Sequence, residues 1–297
     1  MGIEFDNDRV DVGGLDDRRG MGGGGLAIGG GAGVVGLIVY VLVQLLGGGN
    51  VDLSQITPAQ TGSSSRQEST AELEKRCNSD GALDKYVDCR MIKVYNVADD
   101  VWSEEFSRRG LSYEPPRLVF FENGVNTGCG QASSQVGPFY CPPDEKIYLD
   151  LGFLEQLQQQ FGAEGTFAQA YIEAHEYGHH LQTLLGTERK VRSAQQSDPD
   201  NANRYSVAME LQADCYAGAW ATLADKDSDN GIALTKDNIA EAVNAAEAVG
   251  DDRIQKKAQG RVDPESWTHG SAAQRAQWFT TGYTSGDIDS CNTFASV

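Results

Sequence analysis

Three of the four histidines in this 297-residue chain fall within one heptapeptide, Ala174-His175-Glu176-Tyr177-Gly178-His179-His180. Around it Phe167, Ala170, Tyr171, Ala174, Gly178, Leu181 and Leu185 recur every three or four positions, the pattern of a buried helix. A helix turns about 100° per residue, so His175 and His179 share one face about 40° apart, where two imidazoles can grip one metal ion. Glu176 lies about 100° round from His175, beside such an ion without ligating it, where a general base for a water on the metal would stand. His180, about 140° from His175, cannot join the same ion and reads as a flanking residue. A catalytic zinc ion takes three protein ligands and keeps one position open. The third candidate is Glu210, in Glu210-Leu211-Gln212-Ala213-Asp214, where Asp214, one turn on, can accept the distal N–H of a ligand histidine and fix its tautomer.

H-E-x-x-H followed by E-x-x-A-D resembles the gluzincin metallopeptidases, whose third ligand is a glutamate on a second helix. The segment Glu210 to Gly218, with Gly250-Asp251-Asp252-Arg253, Thr268-His269-Gly270, Gln274-Arg275 and Trp278-Phe279, narrows the resemblance to the bacterial neutral zinc metallopeptidase family, over roughly residues 70 to 295. The resemblance implies an α+β, helix-dominated zincin-like metallopeptidase domain with one catalytic zinc ion on His175, His179 and Glu210. It implies peptide or protein substrates and Glu176 as the base. It also makes His269 a candidate donor to the developing oxyanion. The plainer reading of His269 is a structural residue at the start of the helix of Gln274 to Phe279.

The net charge of −19 argues against a nucleic-acid partner, because phosphate binding needs clustered Lys and Arg. Residues 1–25 are acidic, Gly-rich and without periodicity, and predict a disordered cytoplasmic tail. Residues 26–46 carry no charge and are long enough to cross the hydrocarbon core at 1.5 Å per residue, which predicts one transmembrane helix. The run is too long for a typical signal-peptide core and no A-x-A-like site follows it, so the anchor should stay uncleaved. Arg18 and Arg19 precede it, with no Lys or Arg between Leu46 and Arg66. By the positive-inside rule the protein is then single-pass in the cell membrane, with its N-terminus cytoplasmic and its main domain outside. Residues 47–70 predict a flexible linker, and 71–297 hold the metallopeptidase domain.

All six cysteines lie in that domain, which suits an oxidising compartment. Six cysteines allow 15 connectivities. The favoured set is Cys77 to Cys89 and Cys129 to Cys141, which close short local loops, and Cys215 to Cys291, which ties the C-terminus to the Glu210 helix.

Leu83, Tyr86 and Val87 hint at a short helix, and Met91 to Val97 reads as helix or strand. Leu118 to Phe121 and Lys146 to Asp150 read as strands. In zincin-type folds a strand near the active helix pairs with extended substrate, which makes Ile147 to Leu149 a candidate substrate edge beside its plain reading as a core strand. Leu151 to Phe161 looks helical, Thr166 is the expected N-cap of the metal-site helix, residues 187–203 are expected to be loop, and Glu210 sits on a helix from about Arg204 to Ala224. Asp225, Asp227 and Asp229 resemble the opening of a calcium loop. Its glycine comes one place late and Lys236 stands where the closing glutamate belongs, so a solvated loop is the better reading. Thr235 caps a further helix ending at Gly250.

The function these features support is a membrane-anchored zinc metallopeptidase. The competing reading is a non-catalytic, zinc-stabilised protein that binds a cell-envelope partner. A structural zinc site closes with four protein ligands and has no use for a base such as Glu176. Metal-dependent hydrolysis of a non-peptide bond would use the same ligands.

Overall fold

Helical periodicity dominates the chain, and helices dominate the computed structural model, which describes residues 3–20, 68–154, 165–226 and 230–297. In chain order the α-helices among them are α1 (Thr70–Cys77), α2 (Ala82–Lys85), α3 (Val87–Arg108), α4 (Thr166–Leu184), α5 (Thr187–Ser197), α6 (Ala202–Lys226), α7 (Lys236–Ala248), α8 (Asp251–Gln259) and α9 (Ala272–Ser285). The α4 helix is buried nearly all round, polar residues included, and Phe167 stacks on Trp220 of α6 with ring centroids 6.1 Å apart.

Small residues let the helices around α6 approach backbone to backbone. A Cβ built on Gly178 of α4 would meet the Ala213 backbone at 3.0 Å. One on Gly282 of α9 would lie 1.8 Å from the Cys215 carbonyl oxygen, and one on Gly218 of α6 would lie 2.0 Å from that of Phe279. Only glycine permits these crossings.

The strands are β1 (Glu4–Phe5), β2 (Leu15–Asp17), β3 (Arg117–Phe120), β4 (Gly124–Thr127), β5 (Gly130–Ser133), β6 (Phe139–Cys141), β7 (Lys146–Leu149) and β8 (Ile232–Ala233). One four-stranded sheet runs β2-β3-β7-β6, with β2, β3 and β7 parallel and β6 antiparallel to β7. Alternation along its strands splits the core. Leu118, Phe120, Ile147 and Leu149 join the helices, while Val119, Phe121, Phe139 and Tyr148 pack with Val125 and Ala132 of the β4–β5 hairpin. The cysteines form three disulfides, Cys77–Cys89, Cys129–Cys141 and Cys215–Cys291.

The N-terminal segment corrects the expected tail. Within residues 3–20, β1 pairs with β8 and β2 pairs with β3. Ile3, Val10 and Val12 are buried, and the fully buried Lys93 donates to the Arg9 carbonyl at 3.1 Å. Arg18 and Arg19, read as charges flanking a membrane span, are paired instead: Arg18 with Asp16, and Arg19 with Asp17 and Asp88.

The predicted transmembrane helix is a further correction. Segments on either side of residues 26–46 share sheets, which a cytoplasmic tail set apart from the main domain would not do. Residues 26–46 lie outside the described residues, as do 47–67 of the expected linker. Among the described residues no helix is long and apolar enough to cross a membrane. The fold class of the described residues is therefore helix-rich α+β, and the predicted transmembrane helix finds no support among them.

Two local expectations change as well. Residues 187–197, expected as loop, form α5, a polar helix that buries only Val191. Thr166 is the first residue of α4 and not its cap. Its hydroxyl accepts the Ile3 N–H at 2.9 Å, while Glu241 of α7 accepts the Phe167 N–H at 3.0 Å and does the capping.

Candidate metal centre

The two histidines of α4 and the glutamate of α6 converge because Gly178 and Ala213 bring those helices into contact. The ligand atoms of His175, His179 and Glu210 all lie within 4.8 Å of one another. His175 Nε2 is 3.2 Å from Glu210 Oε2, and His179 Nε2 is 3.6 Å from Glu210 Oε1. Each Nε2 can face an ion because each Nδ1 is occupied: Asp214 Oδ1 accepts from His175 at 2.8 Å, and Gln182 Oε1 accepts from His179 at 2.9 Å. Two imidazoles and a carboxylate are the donor set of a catalytic zinc site, one ligand short of a structural one. The residues fit the ion.

Asp214 is held in turn. Fully buried, it accepts from Arg275 Nε at 2.8 Å and Nη2 at 2.9 Å, and from the Tyr171 hydroxyl at 2.5 Å. Burial would raise its pKa, but Arg275 and His175 bring it down to about 2. Burial would lower His175, yet Asp214 and Glu210 lift it to about 10, so a metal ion must displace a proton to bind there. Against burial, the charges of His179, His269 and His175 hold Glu210 well below the usual carboxylate range.

Glu176 is buried beside the two histidines, and burial raises its pKa. The backbone N–H of Tyr140, on β6, works against that rise by favouring the charged carboxylate. That strand, and not Ile147 to Leu149, ends the sheet on this side. β7 is flanked by β3 and β6, so the expected substrate edge has no free edge to offer. His180 is fully buried and structural: Nε2–H donates to the Glu114 carbonyl at 2.7 Å, and Nδ1 accepts from the Tyr140 hydroxyl at 3.1 Å. Burial lowers its pKa to about 4, so it stays neutral.

His269 is buried near Glu210, on a loop wrapped around one carboxylate. Asp251 accepts the backbone N–H groups of Thr268, His269 and Gly270 at 2.8, 2.7 and 3.1 Å, and lies 3.2 Å from His269 Nδ1. Sequence reasoning gave no role to Asp251, Gln182, Tyr171 or Arg275. The motifs around Asp251 and Arg275 were visible, but what each side chain touches depends on packing between distant helices.

Among the described residues the remaining clusters offer no second metal site. Cys77 and Cys89 are bonded to each other, and the adjacent Asp88 is taken up by Arg19 and Arg76. Of the calcium-loop candidates, Asp225 accepts the Leu234 N–H at 2.8 Å, and Asp227 and Asp229 lie outside the described residues. Nothing there supports calcium.

Comparison with known proteins agrees with this geometry. The family described as "Putative neutral zinc metallopeptidase" matches residues 5–294. The uncharacterized protein YpfJ of Escherichia coli (strain K12) is 42% identical over 287 residues, covering 94% of this chain and 95% of that protein. An uncharacterized protein of Mycobacterium tuberculosis (strain ATCC 25618 / H37Rv) is 45% identical over 229 residues, 75% of each chain. No solved structure matches the chain.

Proposed function

Because the chain belongs to the neutral zinc metallopeptidase family, we propose that it hydrolyses peptide bonds with one zinc ion on His175, His179 and Glu210 and with Glu176 as general base. The observation that carries this reading is the position of Glu176, buried beside the two ligand histidines on the same helix. Zinc, when bound there, supplies Lewis acidity that activates water and draws charge from the scissile carbonyl.

Glu176 then takes the proton of the attacking water and delivers it to the leaving amine nitrogen. Burial makes its carboxylate a stronger base than one in water. His269 is the candidate donor to the carbonyl oxygen as charge grows on it, and Asp251 fixes the loop that presents it. The three disulfides favour an oxidising compartment as the working environment.

A non-catalytic zinc scaffold would leave Glu176 without a purpose. An unbiased peptide library, incubated with the full chain with and without zinc, tests the proposal. Zinc-dependent cleavage that Glu176→Gln abolishes is the expected result. Cleavage that survives this substitution would sink the assignment of the base.

A further inference from the structure

The support of the two ligand histidines is unequal in kind. His175 rests on a charged group, Asp214, whereas His179 rests on a neutral amide, and that amide is the first of a series. Gln182 Oε1 accepts from His179 Nδ1 at 2.9 Å, while Gln182 Nε2 donates to the Met209 carbonyl at 2.8 Å and to Gln212 Oε1 at 3.2 Å. Gln212 Nε2 donates in turn to the backbone carbonyl of Cys291 at 2.9 Å. Gln182, Gln212 and Cys291 are all buried.

We propose that Gln182 and Gln212 are positioning residues which carry the orientation of the C-terminal tail to the metal ligand His179, with the Cys215–Cys291 disulfide holding the far end. The direction of every bond follows from the ends. A backbone carbonyl only accepts, so Cys291 compels the Gln212 amide to turn its NH2 outward and its oxygen toward Gln182. Met209 likewise compels the Gln182 NH2, which leaves the Gln182 oxygen facing His179. An oxygen there demands a proton on Nδ1 and leaves Nε2 bare for a metal ion.

The disulfide places the last carbonyl, because Cys215 sits on the same helix as Glu210 and Gln212, and Thr293 adds a second tie through its hydroxyl to the Ala208 carbonyl at 2.6 Å. With Cys291 displaced, the Gln212 amide is free to flip and present its NH2 to that of Gln182. His179 then loses part of its preference for the metal-binding tautomer.

The inference rests on the metal-site assignment and not on peptidase activity, so both readouts avoid turnover. The first is zinc affinity of the full chain by competition with a chromophoric chelator. The second is the tautomer of His179 in zinc-free protein, from long-range proton–nitrogen NMR correlations of the ring. Wild type should show the Nδ1–H tautomer. Gln182→Leu should weaken zinc binding by about 10- to 100-fold, and Gln212→Leu by roughly threefold or more, each moving His179 toward Nε2–H.

The decisive comparison pairs Gln212→Leu with removal of the bridge through Cys215→Ala and Cys291→Ala. Along a relay the two losses are one loss, so the combined protein should bind zinc no more weakly than the worse of its parents. Losses that multiply would mean that the bridge acts by general loosening, and would overturn the proposal. So would Gln182→Leu binding zinc as wild type does. If the bridge-free protein fails to fold, Gln182→Leu and Gln212→Leu, which keep every disulfide, still decide the matter. A wild-type chain that binds no zinc would refute the metal-site assignment, and the tautomer measurement would then judge the relay alone.

Discussion

Gly178→Ala is the most discriminating single change at this site. The added Cβ would lie 3.0 Å from Ala213 Cα, 3.0 Å from its carbonyl oxygen and 3.3 Å from its Cβ, where ordinary contact begins at 3.4 Å. The helices α4 and α6 must therefore part by about 0.4 Å. Overpacking of this kind costs roughly 1–3 kcal/mol, and the gain from replacing a mid-helix glycine by alanine returns about 1 kcal/mol. Net stability should fall by no more than about 2 kcal/mol. The metal site should suffer more, because metal–ligand distances tolerate about ±0.2 Å and the ligands sit on both helices. The expected result is zinc affinity lower by on the order of tenfold in protein whose melting temperature, measured without zinc, shifts by only a few degrees. Chelator competition and thermal unfolding on the same sample test this. Unchanged affinity would refute the argument that the α4–α6 spacing sets the ligand geometry.

Glu210→Ala should lose zinc, having lost one of three ligands, while Glu176→Gln should keep zinc and lose turnover; metal analysis beside a peptide-cleavage assay separates the two. Asp214→Asn leaves Arg275 buried without its counter-charge and should cost about 3–5 kcal/mol in denaturant titration. The pKa of Asp214 is depressed from 3.8 to about 2, so its contribution is present above pH 3.8 and lost as pH falls toward 2. Asp214→Asn should flatten the acid limb of the stability curve in that window, and a limb of unchanged steepness would count against the pairing. Epitopes at the two ends of the chain should be both reachable or both protected in intact cells, because β1 and β2 share sheets with the main domain. Opposite accessibility would contradict the shared sheets.

What the sequence disclosed depended on how far its signal had to travel. The spacings of His175, Glu176 and His179, and of Glu210 and Asp214, are helical turns, so local geometry alone put each set on one face. Gly178 was also legible, since an interior glycine in a good helix asks for a close neighbour, and Ala213 is that neighbour. The contacts of Gln182, Tyr171, Arg275 and Asp251 were not, because their partners lie on other elements and polar residues on a helix look alike until a fold buries them. Strand order was equally opaque: Ile147 to Leu149 could be read as a substrate edge or as a core strand, and it is enclosed by β3 and β6. The error over residues 3–20 has a different cause. Compositional rules count Asp16, Asp17, Arg18 and Arg19 as solvated charges, whereas here they pair with each other or with Asp88. Residues 187–197 misled similarly, because a helix that buries one side chain has too few apolar residues to mark a core-facing stripe.

Strand β1 is synthesised long before its partner, because Glu4 and Phe5 pair with Ala233 and Ile232, more than two hundred residues later. At ordinary elongation rates of about 5–20 residues per second, this opening segment must wait on the order of 10 to 45 s for its partner. During that interval Ile3, Val10 and Val12, buried in the finished protein, have no complete core to enter. The β1 strand is therefore placed to act as the clasp that closes a nearly finished domain. A nascent chain halted before β8 should accordingly keep residues 3–6 open to protease, while release of the full chain should protect them.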